Sequence, residues 1–269
     1  FWVAALILLG CEGVVLLTIR EPRQFTTAAG EAGKAPSFGE SLRDLFKTVG
    51  DVARAQDKST LFICLAIFAW FMGYNAIETF WTLYGRNYLF AAEVARGVMT
   101  GDAAAAKATG MMIFISDAFL LFALPAGFIA TRFGRKPTIM TGLGILTVLW
   151  TGVRFFPSLP YVYVTLILSG VAWALININS LPIVADLASD EKIGSYTGLY
   201  YLFSLLAAST SPTIVGWLMD LFGMEVMFVF TPAFMLLAFF LMLGVKRSEP
   251  RQAVTSLGGA VETAGNADF

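Results

Sequence analysis

Apolar residues along this chain gather into runs of about 20, the length that crosses a hydrocarbon core of about 30 Å. Seven runs are predicted as spans, at roughly 1–19, 60–83, 109–130, 138–156, 161–185, 195–217 and 224–245. A long polar segment separates the first two. Within it, residues 38–53 place Phe38, Leu42, Leu45, Phe46, Val49 and Val52 on one helical face and put Arg43, Asp44, Lys47 and Asp51 elsewhere. That spacing predicts an amphipathic helix lying on the membrane surface.

Composition agrees with a membrane protein. The chain is 57% hydrophobic and 14% charged, where a soluble domain is about 45–50% apolar and about 25% charged. Its 18 basic and 19 acidic residues offer no strongly basic face for a nucleic acid. The absence of histidine excludes the usual zinc sites and imidazole proton relays. Cys11 and Cys64 both fall inside apolar runs, where a thiol behaves as a small buried hydrophobe. No cofactor or metal is expected. The chain starts at Phe1 inside a run, followed by the polar Arg20 to Arg23 stretch; it is read as a fragment whose N-terminal part is missing.

Loops alternate in charge. One set (20–59, 131–137, 185–194, 246–269) holds 14 of the 18 basic residues and the other holds 4, so the first set and the C-terminus are expected in the cytoplasm. The expected organisation is a last helix of an N-terminal half (1–19), a central cytoplasmic loop with its amphipathic helix (20–59), a six-helix bundle (60–245) and a cytoplasmic tail (246–269).

The turn between the third and fourth spans reads GFIATRFGRK over residues 127–136. It resembles the signature of the major facilitator superfamily, in which Gly, an acidic residue, Arg, Gly and two basic residues join helices two and three and, more weakly, eight and nine. Thr131 stands where the family usually has Asp. Residues 186–198 (DLASDEKIGSYTG) and 212–223 (PTIVGWLMDLFG) look like the loop from helix ten to eleven and the end of helix eleven. The resemblance implies an all-α membrane protein with the superfamily fold, these spans being helices six to twelve. It also implies a cytoplasmic gate of Gly127, Arg132, Gly134, Arg135 and Lys136. Because threonine cannot pair with a cation, Asp186 is the expected partner on the same side.

Residues 71–85 (FMGYNAIETFWTLYG) and 177–182 (NINSLP) are similar to the sucrose and glycoside transporters of the superfamily, which are cation-coupled sugar symporters. That resemblance implies a sugar with a coupling proton or cation as substrates. The N-terminal half of the same transporter and the bilayer would be its partners.

Polar residues are unevenly spread. The fourth and seventh spans carry almost none, as helices facing lipid should, while the second, third, fifth and sixth carry the rest. A mid-span acid costs about 2.5–3.5 kcal/mol on insertion scales, so each one needs a reason. Glu78 lies about 7 Å from the outer end of its span and Asp117 about 12 Å, at 1.5 Å per residue. Tyr74 at i−4 and Trp81 at i+3 share a helical face with Glu78, an arrangement that stacks on a ring and bonds its hydroxyls. Trp173, Asn177 and Ser180 follow the i, i+4, i+7 spacing of one face, with Asn179 turned away from it. The candidate solute wall is therefore Tyr74, Asn75, Glu78, Trp81, Trp173, Asn177 and Ser180, and Glu78 and Asp117 are the candidates for proton or cation coupling. Glu12 is assigned to pairing rather than transport. An efflux antiporter for amphipathic compounds and a non-transporting receptor are the alternative readings. An intramembrane enzyme is disfavoured by the lack of histidine and of catalytic motifs.

Overall fold

A computed structural model describes residues 38–188 and 192–246, together with isolated positions of the 1–19 segment. The predicted first span, its Glu12 and the tail beyond 246 lie outside the described residues, apart from those isolated helical positions. The chain divides into two units, Phe1–Arg43 and Asp44–Phe269, and the second holds the helical bundle.

The described residues form helices joined by short turns, without a strand. The helices are α1 (Phe38–Arg54, which starts in the first unit), α2 (Ser59–Tyr84, continued by a π-helical turn Gly85–Leu89), α3 (Ala91–Ala95), α4 (Gly101–Met111), α5 (Ile113–Phe133), α6 (Arg135–Phe155), α7 (Leu159–Ala185), α8 (Ile193–Phe222) and α9 (Met227–Leu243). Among the described residues, six stretches are long and apolar enough to cross a membrane: Ser59–Leu89, Gly101–Phe133, Arg135–Phe155, Leu159–Ala185, Ile193–Phe222 and Met224–Leu243. The protein is a multi-pass membrane protein.

Two boundaries differ from the sequence reading. The segment 84–108, predicted as a loop, is mostly helical: the π turn carries α2 five residues further, and the alanine-rich α4 runs almost directly into α5. Alanine has the highest helix propensity, and Thr100 caps α4 by accepting the Ala103 amide at 3.2 Å. These residues carry too little bulk to register as a hydrophobic run.

Packing follows a fixed order: α5 on α7, α7 on α6, α6 on α9, α9 on α2 and α2 on α8. Glycine permits the closest approach. A Cβ on Gly170 of α7 would lie 2.3 Å from the Ile115 carbonyl oxygen, and one on Gly142 of α6 would lie 2.6 Å from the Ala172 oxygen. The core is built of Trp70, Trp81, Trp150, Ile67, Leu143, Leu166 and Met235. Of the crossing stretches, those containing α5 and α8 are the least covered by the rest of the unit.

The apolar face of α1 is partly covered by protein. Val52 packs with Cys64 and Leu199, and Leu45 and Val49 join Leu61 and Phe203 against them, whereas Phe46 is exposed. The membrane-surface expectation gave that whole face to lipid. The structure gives its inner edge to α2 and α8, because their ends offer apolar surface at the same level.

Candidate functional site

The site is assembled where α2 passes α7. Tyr74 stacks face to face on Trp173, ring centroids 3.8 Å apart and planes 5° from parallel. Phe71, one turn before Tyr74, meets the Trp173 ring edge-on at 5.5 Å and Tyr200 of α8 at 6.4 Å. Ser180 Oγ lies 2.8 Å from the Asn177 carbonyl, to which it donates, and is hydrogen-bonded to the Tyr200 hydroxyl at 3.2 Å. Three helices thus contribute to one aromatic and hydroxyl cluster; the sequence offers Tyr200, with Ser204, as a weaker polar pair of the sixth span, and Phe71 does not stand among the candidates. Phe71 was readable as the i−3 neighbour of Tyr74. Tyr200 is 20 positions from Ser180, and only the packing of α8 brings the two together.

Glu78 is exposed on α2, one turn beyond Tyr74. Among the described residues it has no ion pair; the two observed pairs join Arg135 to Asp186 and Arg154 to Glu225. Asn75 is half-buried and its amide donates to the Phe71 carbonyl at 2.7 Å, so part of its bonding capacity is already used. Asn177 is half-buried, while Asn179 is buried and donates to Ala126 of α5 at 3.3 Å and to Leu175 at 2.9 Å. The two amides divide the work that one face cannot do: Asn179 ties helices, and Asn177 keeps surface toward the open side.

Trp81 does not share that open side. It is 0% exposed, donates from Nε1 to the Ala108 carbonyl at 2.9 Å and meets Trp150 at 6.0 Å. The i+3 step rotates it past the helix edge into the contact with α4, so its ring is a wedge between helices. Trp173 is 6% exposed, with one face covered by Tyr74. Asp117 is exposed on α5, away from the α2–α7 contact.

At the opposite, basic end, Gly134 joins α5 to α6 with φ of +92°, a conformation that costs glycine little. Arg135 Nη1 donates to the Asp186 carboxylate in a half-buried ion pair that links the start of α6 to the end of α7. Lys136 Nζ donates to the Val245 carbonyl at 2.6 Å and the Leu243 carbonyl at 3.2 Å, which satisfies the free carbonyls where α9 ends. Arg132 is exposed over the Phe133 ring, and a Cβ on Gly127 would meet nothing within 4 Å. Thr131 donates back to Phe128 at 2.8 Å and takes no part in the charge network.

The family model described as Major Facilitator Superfamily matches residues 97–264, more than half of the chain. The chain belongs to this superfamily. Similar proteins include the Multi-drug resistance efflux pump PmrA of Streptococcus pneumoniae, 28% identical over 118 residues, a stretch covering 44% of this chain and 29% of the pump. An uncharacterized MFS-type transporter of Methanocaldococcus jannaschii is 27% identical over 100 residues, covering 37% of this chain and 25% of that protein. The match thus spans less than a third of these curated relatives. Among solved structures, the POT family transporter PepTSo aligns with a TM-score of 0.64 at 18% identity, over 72% of this chain and 39% of that one. That likeness shows the fold. The superfamily's all-helical architecture agrees with the six crossing helices.

Proposed function

We propose that the protein containing this chain is a secondary transporter that works by alternating access, with this chain as its C-terminal half and proton-driven efflux of small amphipathic compounds as its activity. One observation carries the reading: among the described residues Glu78 stands without an ion pair, exposed on α2 one turn from the Phe71–Tyr74–Trp173–Tyr200 cluster. A carboxylate beside aromatic rings attracts a proton or an organic cation, and the rings supply apolar contact area. The similarity to a protein named a multidrug efflux pump supports the same choice.

In this mechanism proton and solute compete at Glu78. Protonation neutralises the carboxylate and releases the solute on one side; deprotonation toward the other side restores the site. Arg135 and Asp186 hold the cytoplasmic side shut and separate as it opens. Asp117, on the α5 surface that would meet the other half, is a second proton carrier. The basic loops and the C-terminus face the cytoplasm.

Sugar symport is the second reading. It is favoured by Asn177 and the Ser180–Tyr200 hydroxyl pair, which can bond sugar hydroxyls. Against it, Trp81 is enclosed and Tyr74 already covers Trp173, so two of the indole faces that would stack on a sugar ring are occupied. Vesicles carrying the full-length protein distinguish the two. Uncoupler-sensitive extrusion of a fluorescent dye, lost in Glu78→Gln, supports efflux; proton-driven disaccharide uptake without dye extrusion overturns it.

A further inference from the structure

At the end of the unit remote from Arg135 and Asp186, α2 and α8 diverge around a cavity of about 390 Å³, within the roughly 300–1,000 Å³ typical of small-molecule pockets. Its floor is the close approach of the two helices, where a Cβ on Gly216 would lie 3.4 Å from Phe80 Cζ. One wall is the π-helical turn, which carries Asn87 and Tyr88 to the rim; Tyr88 stacks on buried Tyr84 at 5.8 Å and is thereby held in place. The other wall is Met219 and Asp220, and Gly223, with φ of +85°, turns the chain back so that Met224 closes the end.

The electrostatics of this cavity are one-sided. Asp220 is its one charged lining residue, and among the described residues no cation pairs with it. Of the cations at the same end, Arg154 pairs with Glu225 at 3.1 Å, Arg96 donates to the Ala92 carbonyl at 3.1 Å, Lys107 lies 4.3 Å over the Phe90 ring, and Arg86 lies beside Gly101. An exposed carboxylate with no ion pair among the described residues thus lines the same cavity as the Tyr88 and Phe80 rings and two methionines. Ring faces attract cations, and thioethers adapt to ligands of varied shape.

The geometry points to a binding site for lipophilic organic cations in this vestibule, separate from the Glu78 cluster. It rests on the efflux reading for its role, as a station on the exit path, but its existence is testable without transport. The experiment is equilibrium binding of tetraphenylphosphonium to the full-length protein in nanodiscs, with triphenylphosphine oxide as the neutral analogue. The background is Glu78→Gln, so that the central site does not contribute. Asp220→Asn is expected to weaken the cation's binding about tenfold and leave the neutral analogue within twofold, while Asp220→Glu stays within threefold of the parent. Met219→Ala is expected to weaken both probes severalfold. Equal cation affinity in Asp220→Asn and its parent, both eluting as monodisperse folded protein, overturns the site. Absence of dye extrusion by the unmutated protein, with Asp220-dependent binding intact, would instead count against the efflux reading alone.

Discussion

At the level of single side chains, the functional reading turns on two carboxylates with opposite surroundings. Glu78 has no counter-ion among the described residues, so its charge is free to be titrated or matched by solute. Glu78→Gln, which fixes the neutral, solute-releasing form, is expected to reduce proton-driven movement and solute exchange alike by more than tenfold; parallel flux and counterflow assays check this. Asp186, in contrast, is spoken for by Arg135. The pair is only half-buried, so water screens it and it contributes about 1 kcal/mol at most; in the proposed gate that is roughly a fivefold bias between closed and open cytoplasmic sides. Asp186→Asn should raise thiol labelling of a cysteine at Asn177 from the cytoplasmic side by about that factor. The swap of Arg135→Asp with Asp186→Arg should restore the parent rate.

Between helices, close contact is set by where side chains are missing. A methyl group on Gly170 cannot be placed without moving the Ile115 carbonyl or Ala118, because both lie under 3 Å from the Cβ position. Backbone cannot rotate out of the way, so Gly170→Ala should destabilise the bundle by about 1–3 kcal/mol through overpacking. Gly144 on α6 has nothing within 4 Å, and Gly144→Ala should be neutral or stabilising by up to about 1 kcal/mol, since alanine is the better helix former. Thermal melts of the purified full-length protein compare the two. Trp81 shows the same logic with a bulky residue: its indole fills the α2–α4 contact and its N–H is consumed by Ala108. A ring in that position is structural, whatever its spacing from Glu78 suggests.

Across the whole molecule, charge orders the ends. Arg135, Lys136 and Lys192 lie at one end, the Arg154–Glu225 pair and Asp220 at the other. On the proposed orientation, which follows the positive-inside rule, the first end faces the cytoplasm. In intact cells, a cysteine at Lys192 should resist an impermeant maleimide and one at Asn87 should react; the reverse pattern would invert the assignment. The exposure of α5 and α8 also belongs to this scale. Their apolar surfaces, such as Leu120, Leu121, Leu124, Trp217 and Phe222, are more than half exposed within the unit, and the superfamily reading assigns part of that surface to the other half and the remainder to lipid.

Legibility followed the range of the interactions. Hydrophobic runs and the GFIATRFGRK turn are local, so the six crossing helices and the superfamily could be read from residue order alone: a bilayer demands about 20 apolar residues per span whatever surrounds them. The preference for Asn177 over Asn179 was a matter of helical angle; the structure adds only that Asn179 is buried and Asn177 half-buried. Contacts between distant segments had no such signature. That Tyr74 covers Trp173, that Tyr200 reaches Ser180, that Trp81 turns into α4 and that α1 rests partly on α2 and α8 depend on how helices cross and rotate against one another. So does the Asp220 vestibule, whose two walls come from α2 and α8, far apart in the chain. Solvent preference is written into each residue, but the partner of a side chain is chosen only when packing brings two helices together, and there the tertiary structure alone decided.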